Sequence, residues 1–472
     1  MSALPTLRRC AASRSSQILA VIPFMLAVVW PASALHDVYG EEASAARMTG
    51  AAGKSAASGP AAALPTLAMT QSDAAMLARG AYVAKAGDCA GCHTATQGGA
   101  PYAGGLGISS PFGTIESTNI TPDPRFGIGA YSYDDFSRVL RKGIARGGKR
   151  LYPAMPYTAY AKMDEADLRA LYAFMMHGVA PVPKPNIKSD VSFPFNQRWG
   201  LWIWQMAFVP DKPYEPRAAH DAQWNRGAYL VQSLGHCGSC HTPRGAAYQE
   251  SGTDESSANF LTGSVNDHWF APNLTGDRGS GLGRWQANEI AAFLKTGHAD
   301  GNVAYGSMVQ QIEDSSQYLT DDDLLAIGRY LKSLPPRGAS GTYAPREDAA
   351  RKPINGSRVP DTLSVGFNVY RSFCAQCHGA AGEGVRNAFP ALAGNSSVLA
   401  EDTTSLIRLM VEGGNSPSTL TGPRRQQMPR FAGTLADVQI AQVLTYIRGA
   451  WGNNAQQLTA NDVSSLRDKL HK

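Results

Sequence analysis

Three short segments of this 472-residue chain bring two thiols and an imidazole together at one fixed spacing: Cys89-Ala90-Gly91-Cys92-His93, Cys237-Gly238-Ser239-Cys240-His241 and Cys374-Ala375-Gln376-Cys377-His378. Two cysteines three residues apart can add to the two vinyl groups of one porphyrin. The histidine that follows then reaches the iron from the same side, which is the chemistry of covalent c-type haem attachment. With 7 Cys and 10 His in the chain, chance supplies on the order of a few thousandths of such a motif. A zinc site would need further Cys or His at ligand spacing, and a thioredoxin-like pair has no use for a following histidine in three places. The expected cofactors are three covalent haem c groups, tethered by Cys89, Cys92, Cys237, Cys240, Cys374 and Cys377. His93, His241 and His378 are the expected iron ligands on the near side.

An iron that shuttles electrons without binding oxygen or substrate needs a sixth ligand, and a thioether opposite histidine raises its reduction potential. Each repeat is expected to place one methionine in a loop: Met155 between Ala154 and Pro156, Met308 after Gly306-Ser307, and Met428 before Pro429. They stand 12, 11 and 15 residues after Gly143, Gly297 and Gly413. Methionine often fills gaps in cores, but a loop methionine beside Pro or Gly is better placed to ligate. Met410 sits where the other repeats have Leu140 and Leu294 and reads as core. His298, His236 and His177 have no counterpart at ligand positions and read as surface or pocket histidines.

The elements around these residues repeat as well. Arg79-Gly80-Ala81-Tyr82 and Arg226-Gly227-Ala228-Tyr229 precede the first two motifs, and Gly366 with Tyr370 precede the third more loosely. Downstream come Phe136, Val139, Leu140, Gly143; then Ile290, Phe293, Leu294, Gly297; then Leu406, Leu409, Met410, Gly413. Apolar residues at this spacing bury one face of a helix, and glycine suits its C-terminus. A last helix in each repeat is announced by a cap with an acid three residues on, at Asp164/Asp167, Thr320/Asp323 and Thr434/Asp437. The fold class expected is all-α: three tandem class I cytochrome c-like haem domains. Domains of about 80 to 120 residues have little core of their own, so each haem should supply part of the apolar interior.

Residues 1–34 have the layout of an export signal: Arg8, Arg9 and Arg14, an apolar run from Ile18 to Trp30, and the cleavage signature Ala32-Ser33-Ala34. That run is too short to span a bilayer. Residues 35–70 are an Ala/Gly/Ser-rich, flexible lead-in. The haem domains are expected at 71–185, 218–336 and 361–452, separated by a Trp-rich linker at 186–217 and a second linker at 337–360, with a polar tail at 453–472. Phe193, Phe195, Trp199, Trp202, Trp204, Met206 and Phe208 in the first linker serve either packing between two haem domains or docking to a subunit or membrane surface. The net charge of +5 includes the three arginines of the signal, and what remains is no basic nucleic-acid surface. Haem propionates bring the mature protein near neutrality.

The three motifs, together with Ser117-Thr118-Asn119-Ile120-Thr121-Pro122-Asp123-Pro124, Leu151-Tyr152-Pro153-Ala154-Met155-Pro156-Tyr157 and Ala271-Pro272-Asn273-Leu274-Thr275, resemble the tri-haem cytochrome c subunits of bacterial membrane-associated periplasmic dehydrogenases. Gluconate 2-dehydrogenase, sorbitol, fructose and quinoprotein alcohol dehydrogenases are of this type. The resemblance covers about residues 70 to 452. It implies a separate catalytic subunit carrying flavin or pyrroloquinoline quinone (PQQ), sometimes with a small third subunit. That subunit oxidises a sugar, sugar acid or alcohol and sends electrons through the haems to ubiquinone or another respiratory acceptor. By the motif matches, the ligand pairs are His93 with Met155, His241 with Met308, and His378 with Met428. It implies a periplasmic location against the inner membrane, and the polar tail points to attachment through partners. An independent multihaem carrier and a haem peroxidase remain as other classes; a methionine in every repeat argues against the peroxidase.

Overall fold

The structure is a computed structural model that describes residues 71–96, 98–299, 301–338, 340–345 and 361–470. The expected export signal at 1–34, the expected lead-in at 35–70 and positions 346–360 of the expected second linker lie outside the described residues. Among the described residues, twelve helices of eight or more residues carry the fold. They are α1 (Gln71–Ala86), α2 (Tyr133–Lys142), α3 (Glu165–His177), α4 (Leu201–Phe208), α5 (Ala222–Tyr229), α6 (Ala287–Thr296), α7 (Ser307–Asp314), α8 (Asp321–Ser333), α9 (Asp361–Phe373), α10 (Thr404–Glu412), α11 (Asp437–Gly449) and α12 (Ala460–Leu470). Short antiparallel strand pairs join them, the largest a three-stranded sheet of Gly107–Ser110, Gly113–Glu116 and Asp190–Val191. The chain is therefore largely helical, with hairpins in the long loops that the all-α expectation did not include.

One helix pair recurs three times: α1 on α3, α5 on α8, and α9 on α11. The same glycine lets each pair close. A Cβ built on Gly80 would run into the Ala170 carbonyl oxygen, on Gly227 into that of Ala326, and on Gly366 into that of Gln442. Only a residue without a side chain permits so close a backbone approach.

The local signals worked as their chemistry requires. Gly143 and Gly297 end α2 and α6 at φ 63° and 78°, in the left-handed region that glycine enters without cost. Asp164 Oδ1 accepts from Asp167 N at 2.7 Å, and Thr320 Oγ1 accepts from Asp323 N at 3.2 Å. The third cap differs. Helix α11 starts at Asp437 after Ala436, whose N–H donates to the Gln439 side chain at 2.9 Å, and Thr434 lies in the preceding turn. A threonine two residues too early cannot reach the free amides of the first turn. Gly227 stands ten residues before Cys237, whereas Gly80 stands nine before Cys89. A π-helical turn at Leu230–Leu234 absorbs the extra residue.

The apolar interior divides in two. One cluster runs without interruption from the first repeat (Val83, Phe136, Leu140, Leu168, Leu171) into the second (Tyr229, Leu234, Ile290, Leu324, Tyr330), whereas the third repeat has its own around Tyr370, Met410, Ile440, Val443 and Ile447. The segment expected as a polar tail folds back as α12, burying Val463 and Leu466 against the third repeat; an apolar pair three residues apart on a charged helix suffices for that.

Between the first two repeats the junction is reciprocal. Arg79 Nε donates to Asp167 Oδ1 at 2.8 Å within the first repeat, while Arg226 donates to both oxygens of Asp323 at 2.8 and 2.7 Å within the second. The tyrosines cross over. Tyr82 donates to Asp323 at 2.5 Å, and Tyr229 donates to Asp167 at 2.8 Å. The Arg-Gly-Ala-Tyr element thus closes a helix pair with its glycine, anchors its own capped helix with arginine, and ties the neighbouring repeat with tyrosine. Burial alone would raise the Asp323 carboxyl, but the bonds from Arg226 and Tyr82 outweigh it and hold the group below the usual carboxylate range.

Candidate functional site

Each Cys-x-x-Cys-His motif is wound into a single helical turn. The amide of His93 bonds to Cys89 O, that of His241 to Cys237 O and that of His378 to Cys374 O, each at 2.9 Å. Residues i, i+3 and i+4 share one face of such a turn, so both thiols and the imidazole face one side. In the first two repeats the turn enters from backbone that strains an ordinary side chain: Asp88 has φ 48° and His236 φ 35°. Among the described residues the six motif cysteines form no disulfide, Cys374 buried, Cys240 exposed and the rest between. Burial pushes the Cys89, Cys92 and Cys237 thiols up to about 12, which makes them poor thiolates for metal or redox exchange.

The imidazoles are held alike. The ring Nδ1 lies 2.6 Å from Thr118 O in the first repeat, 2.7 Å from Pro272 O in the second and 2.9 Å from Pro390 O in the third. A backbone carbonyl can only accept, so Nδ1 carries the proton and Nε2 keeps its lone pair. Burial lowers the pKa of all three rings, against the opposing pull of the carbonyl bond. Three neutral imidazoles with Nε2 free to ligate and ring planes fixed from behind are the donor set that haem iron requires. Among the described residues, no group of three or more His, Cys, Asp or Glu side chains could hold a bare metal ion.

The carbonyls that fix the rings escaped the sequence reading, though two of their segments had been singled out. Thr118 and Pro272 each precede an asparagine, whose side chain ties the loop down. Asn119 Oδ1 accepts from Thr121 N at 2.9 Å while its amide donates to Val182 O and Lys184 O; Asn273 Oδ1 accepts from Thr275 N at 2.8 Å and its amide donates to Arg337 O. In these two repeats the loop behind the histidine is thereby bonded to the chain leaving the last helix. The Asn-x-Thr that recurs after these two motifs, 26 residues past His93 and 32 past His241, was the available signal.

The methionines are placed less uniformly. Met155 packs against the cluster that also receives Cys89, and Met428 against the one containing Cys374. Met155 lies in a bend, as expected. Met428 instead pairs with Gly414 in a two-residue strand, and Met308 stands in the first turn of α7. Met308 is not among the side chains packed on the cluster that takes in Cys237. Gly306, at φ 60°, enters that turn across the face of Trp269, where a side chain would collide with the indole. Met410 is core, as read, and of the two placements read for His298, surface or pocket, it takes a buried one, on a short strand with Nδ1 3.1 Å from Thr296 O. His236 is wedged edge-on against Tyr160 at 5.7 Å.

With the geometry described, the class follows: residues 77–178 and 364–451 match the cytochrome c family model. Over 407 residues the chain is 46% identical to the gluconate 2-dehydrogenase cytochrome c subunit of Pantoea cypripedii, covering 85% of this chain and 91% of that one. It is 46% identical over 402 residues to the cytochrome c subunit of the quinone alcohol dehydrogenase of Gluconacetobacter polyoxogenes, covering 84% and 85%. It is also 38% identical over 408 residues to the fructose dehydrogenase cytochrome subunit of Gluconobacter japonicus, covering 83% and 82%. The chain belongs to this family of dehydrogenase cytochrome c subunits, in which haem c is bound covalently.

Proposed function

We propose that this chain is the electron-transfer subunit of a bacterial dehydrogenase complex, carrying three haem c groups in three tandem cytochrome c domains at 71–185, 218–336 and 361–452. A partner subunit with flavin or PQQ, oxidising a sugar, sugar acid or alcohol, donates the electrons, and ubiquinone or another respiratory acceptor receives them. The observation that carries the reading is the threefold recurrence of one ligand arrangement, a Cys-x-x-Cys-His turn whose imidazole Nδ1 is bonded to a loop carbonyl. It recurs in the second repeat, between the two segments that match the family model.

Haem iron supplies reversible one-electron exchange. The protein's part is positional. Cys89 and Cys92, Cys237 and Cys240, and Cys374 and Cys377 would each hold one porphyrin by two thioethers, with His93, His241, His378, Met155, Met308 and Met428 as the residues that would ligate the irons. The Nδ1 bonds to Thr118, Pro272 and Pro390 orient the rings and keep them neutral. The names of the relatives support the partner class, and the export-signal layout read in residues 1–34 supports a periplasmic location beside the inner membrane. No helix among the described residues is long and apolar enough to cross a membrane.

The test is to isolate the complex that the exported chain forms in its own host, and to ask whether gluconate, an alcohol or a ketose sugar reduces the haem bands. The expected mass of the chain is that of the processed polypeptide plus three haems. A chain with fewer adducts, or haems that no partner's substrate reduces, overturns the reading.

A further inference from the structure

We propose that the outer face of α4, with the aromatic segment leading into it, is a docking surface for an anionic lipid bilayer. The proposal rests on the reading above for its membrane location and adds the surface that meets it. From Trp199 to Pro210 the chain carries no charged side chain. One side of this segment is fixed to the protein. Trp204 Nε1 donates to Ala247 O at 2.9 Å, its ring lies edge-on to Tyr157 at 6.0 Å, and Gln205, itself buried, donates to Gly143 O at 3.0 Å and accepts from Arg150. These contacts seat α4 across the first two repeats and fulfil the packing role read from the sequence.

The other side is bare. Phe193 is 76% exposed, Trp199 70%, Met206 64% and Trp202 50%. Packing between repeats does not use these four, and exposed apolar groups gathered in this way mark an interaction surface. The face continues onto both repeats: Phe195 packs on Phe112 at 4.4 Å with the rings tilted by 43°, and Phe112 meets Tyr248 edge-on at 5.4 Å.

Beside it stand cations that no acid pairs. Arg198 lies over the Tyr152 ring at 4.1 Å and donates to Arg150 O at 2.6 Å, while Arg150 donates to Gln205. Among the described residues no carboxylate lies in salt-bridge range of Lys149, Arg150 or Arg198. Their charge is left for an anionic partner. Apolar side chains enter the acyl boundary of a bilayer while indole N–H groups and cations stay with the headgroups; neither Trp199 nor Trp202 spends its indole N–H on a described residue. A face with this order of groups fits phospholipid. Tyr152 stands three residues before Met155, so the same surface borders the methionine loop of the first repeat.

The test uses the full haem-loaded chain and flotation with vesicles, read by haem absorbance. The chain should float with vesicles of phosphatidylethanolamine and phosphatidylglycerol and far less with phosphatidylcholine alone. Trp199→Ser/Trp202→Ser/Met206→Ser should weaken partitioning about tenfold or more, and Lys149→Glu several-fold, most at low salt, with unchanged haem spectra. Should the triple variant fold poorly, Trp202→Ser and Lys149→Glu carry the test. Failure of the parent chain to float, or flotation of the variants at the parent level, overturns the proposal. So does a triple variant that still floats but no longer holds the dehydrogenase subunit, which would assign the face to a protein. No electron donor enters this assay, so its failure leaves the electron-transfer reading standing, and failure of substrate to reduce the haems leaves the flotation result standing.

Discussion

The second repeat is joined to the first and to the third in different ways. Toward the first it shares one apolar cluster, and buried carboxylates accept from both repeats at once: Asp167 from Arg79 and Tyr229, Asp323 from Arg226 and Tyr82. Toward the third it uses loops and backbone. Phe270 N donates to Ser405 Oγ at 2.8 Å, Ala391 N to Gly301 O at 2.7 Å and Tyr305 OH to Ser397 Oγ at 2.8 Å, and Arg425 pairs with Glu313 nearer the surface. The helix pairs are alike in all three repeats, but the third has Val365 and Asn368 where the others have arginine and tyrosine, and Gln439 where they have aspartate. The first two repeats are therefore built as one body, whereas the third is a separately cored unit attached to it. Burying a carboxylate is costly unless donors surround it, so each aspartate makes the presence of the other repeat a condition of its own stability.

The largest effect should come from what all three repeats share. Gly227→Ala and Gly366→Ala each place a methyl group on a backbone carbonyl, a collision that flexible side chains cannot relieve. Each should cost about 3 kcal/mol. The comparison lies in where the loss is felt. By hydrogen exchange, Gly227→Ala should loosen α1 and α3 along with α5 and α8, whereas Gly366→Ala should loosen α9 and α11 alone. Equal loosening of α1 by Gly366→Ala would break the distinction between one joined body and one attached unit.

A smaller effect separates the repeats directly. Asp323→Ala leaves the Arg226 guanidinium and the Tyr82 hydroxyl without their acceptor and should cost about 2 kcal/mol, less than a fully enclosed pair because Arg226 keeps some solvent contact. Gln439→Ala, at the same place in the third repeat, removes only a cap bond to Ala436 N and should cost about 0.5 kcal/mol. Denaturant melts of the haem-loaded chain measure both. Similar costs would mean that the aspartates serve as caps alone.

Much of this was legible in the chain because it is written in local chemistry. The attachment motifs, the terminal glycines at 143 and 297, and the caps at Asp164 and Thr320 act within one helical turn, where spacing decides the outcome. What could not be read were partners fixed by tertiary contact. Nothing within a few residues of Tyr82 points to Asp323, 241 positions away, and the carbonyl behind His93 is 25 residues distant. The third cap misled because Thr434 and Asp437 have the right spacing but Ala436, not Thr434, takes the cap position. The Trp-rich segment was legible as apolar, yet its division into a packed side and a bare one depends on which residues of two separate repeats lie beneath it.

The smallest effect tests reciprocity itself. Tyr82→Phe and Tyr229→Phe each delete one hydroxyl from a carboxylate that keeps its arginine, so each should cost about 1 kcal/mol. Because the hydroxyls cross between repeats, each loss should appear on the far side: Tyr82→Phe should weaken protection of α8 more than of α3, and Tyr229→Phe the reverse. In a double-mutant cycle, Tyr82→Phe should lose most of its effect once Asp323 is alanine, keeping only the loss of the bond that Thr320 N donates to the hydroxyl at 3.2 Å, yet keep its full effect beside Asp167→Ala, since of the two carboxylates Tyr82 bonds to Asp323 alone. If Tyr82 coupled equally to both carboxylates, the junction would be a diffuse polar patch, and the division between the joined pair and the attached third repeat would rest on the shared apolar cluster alone.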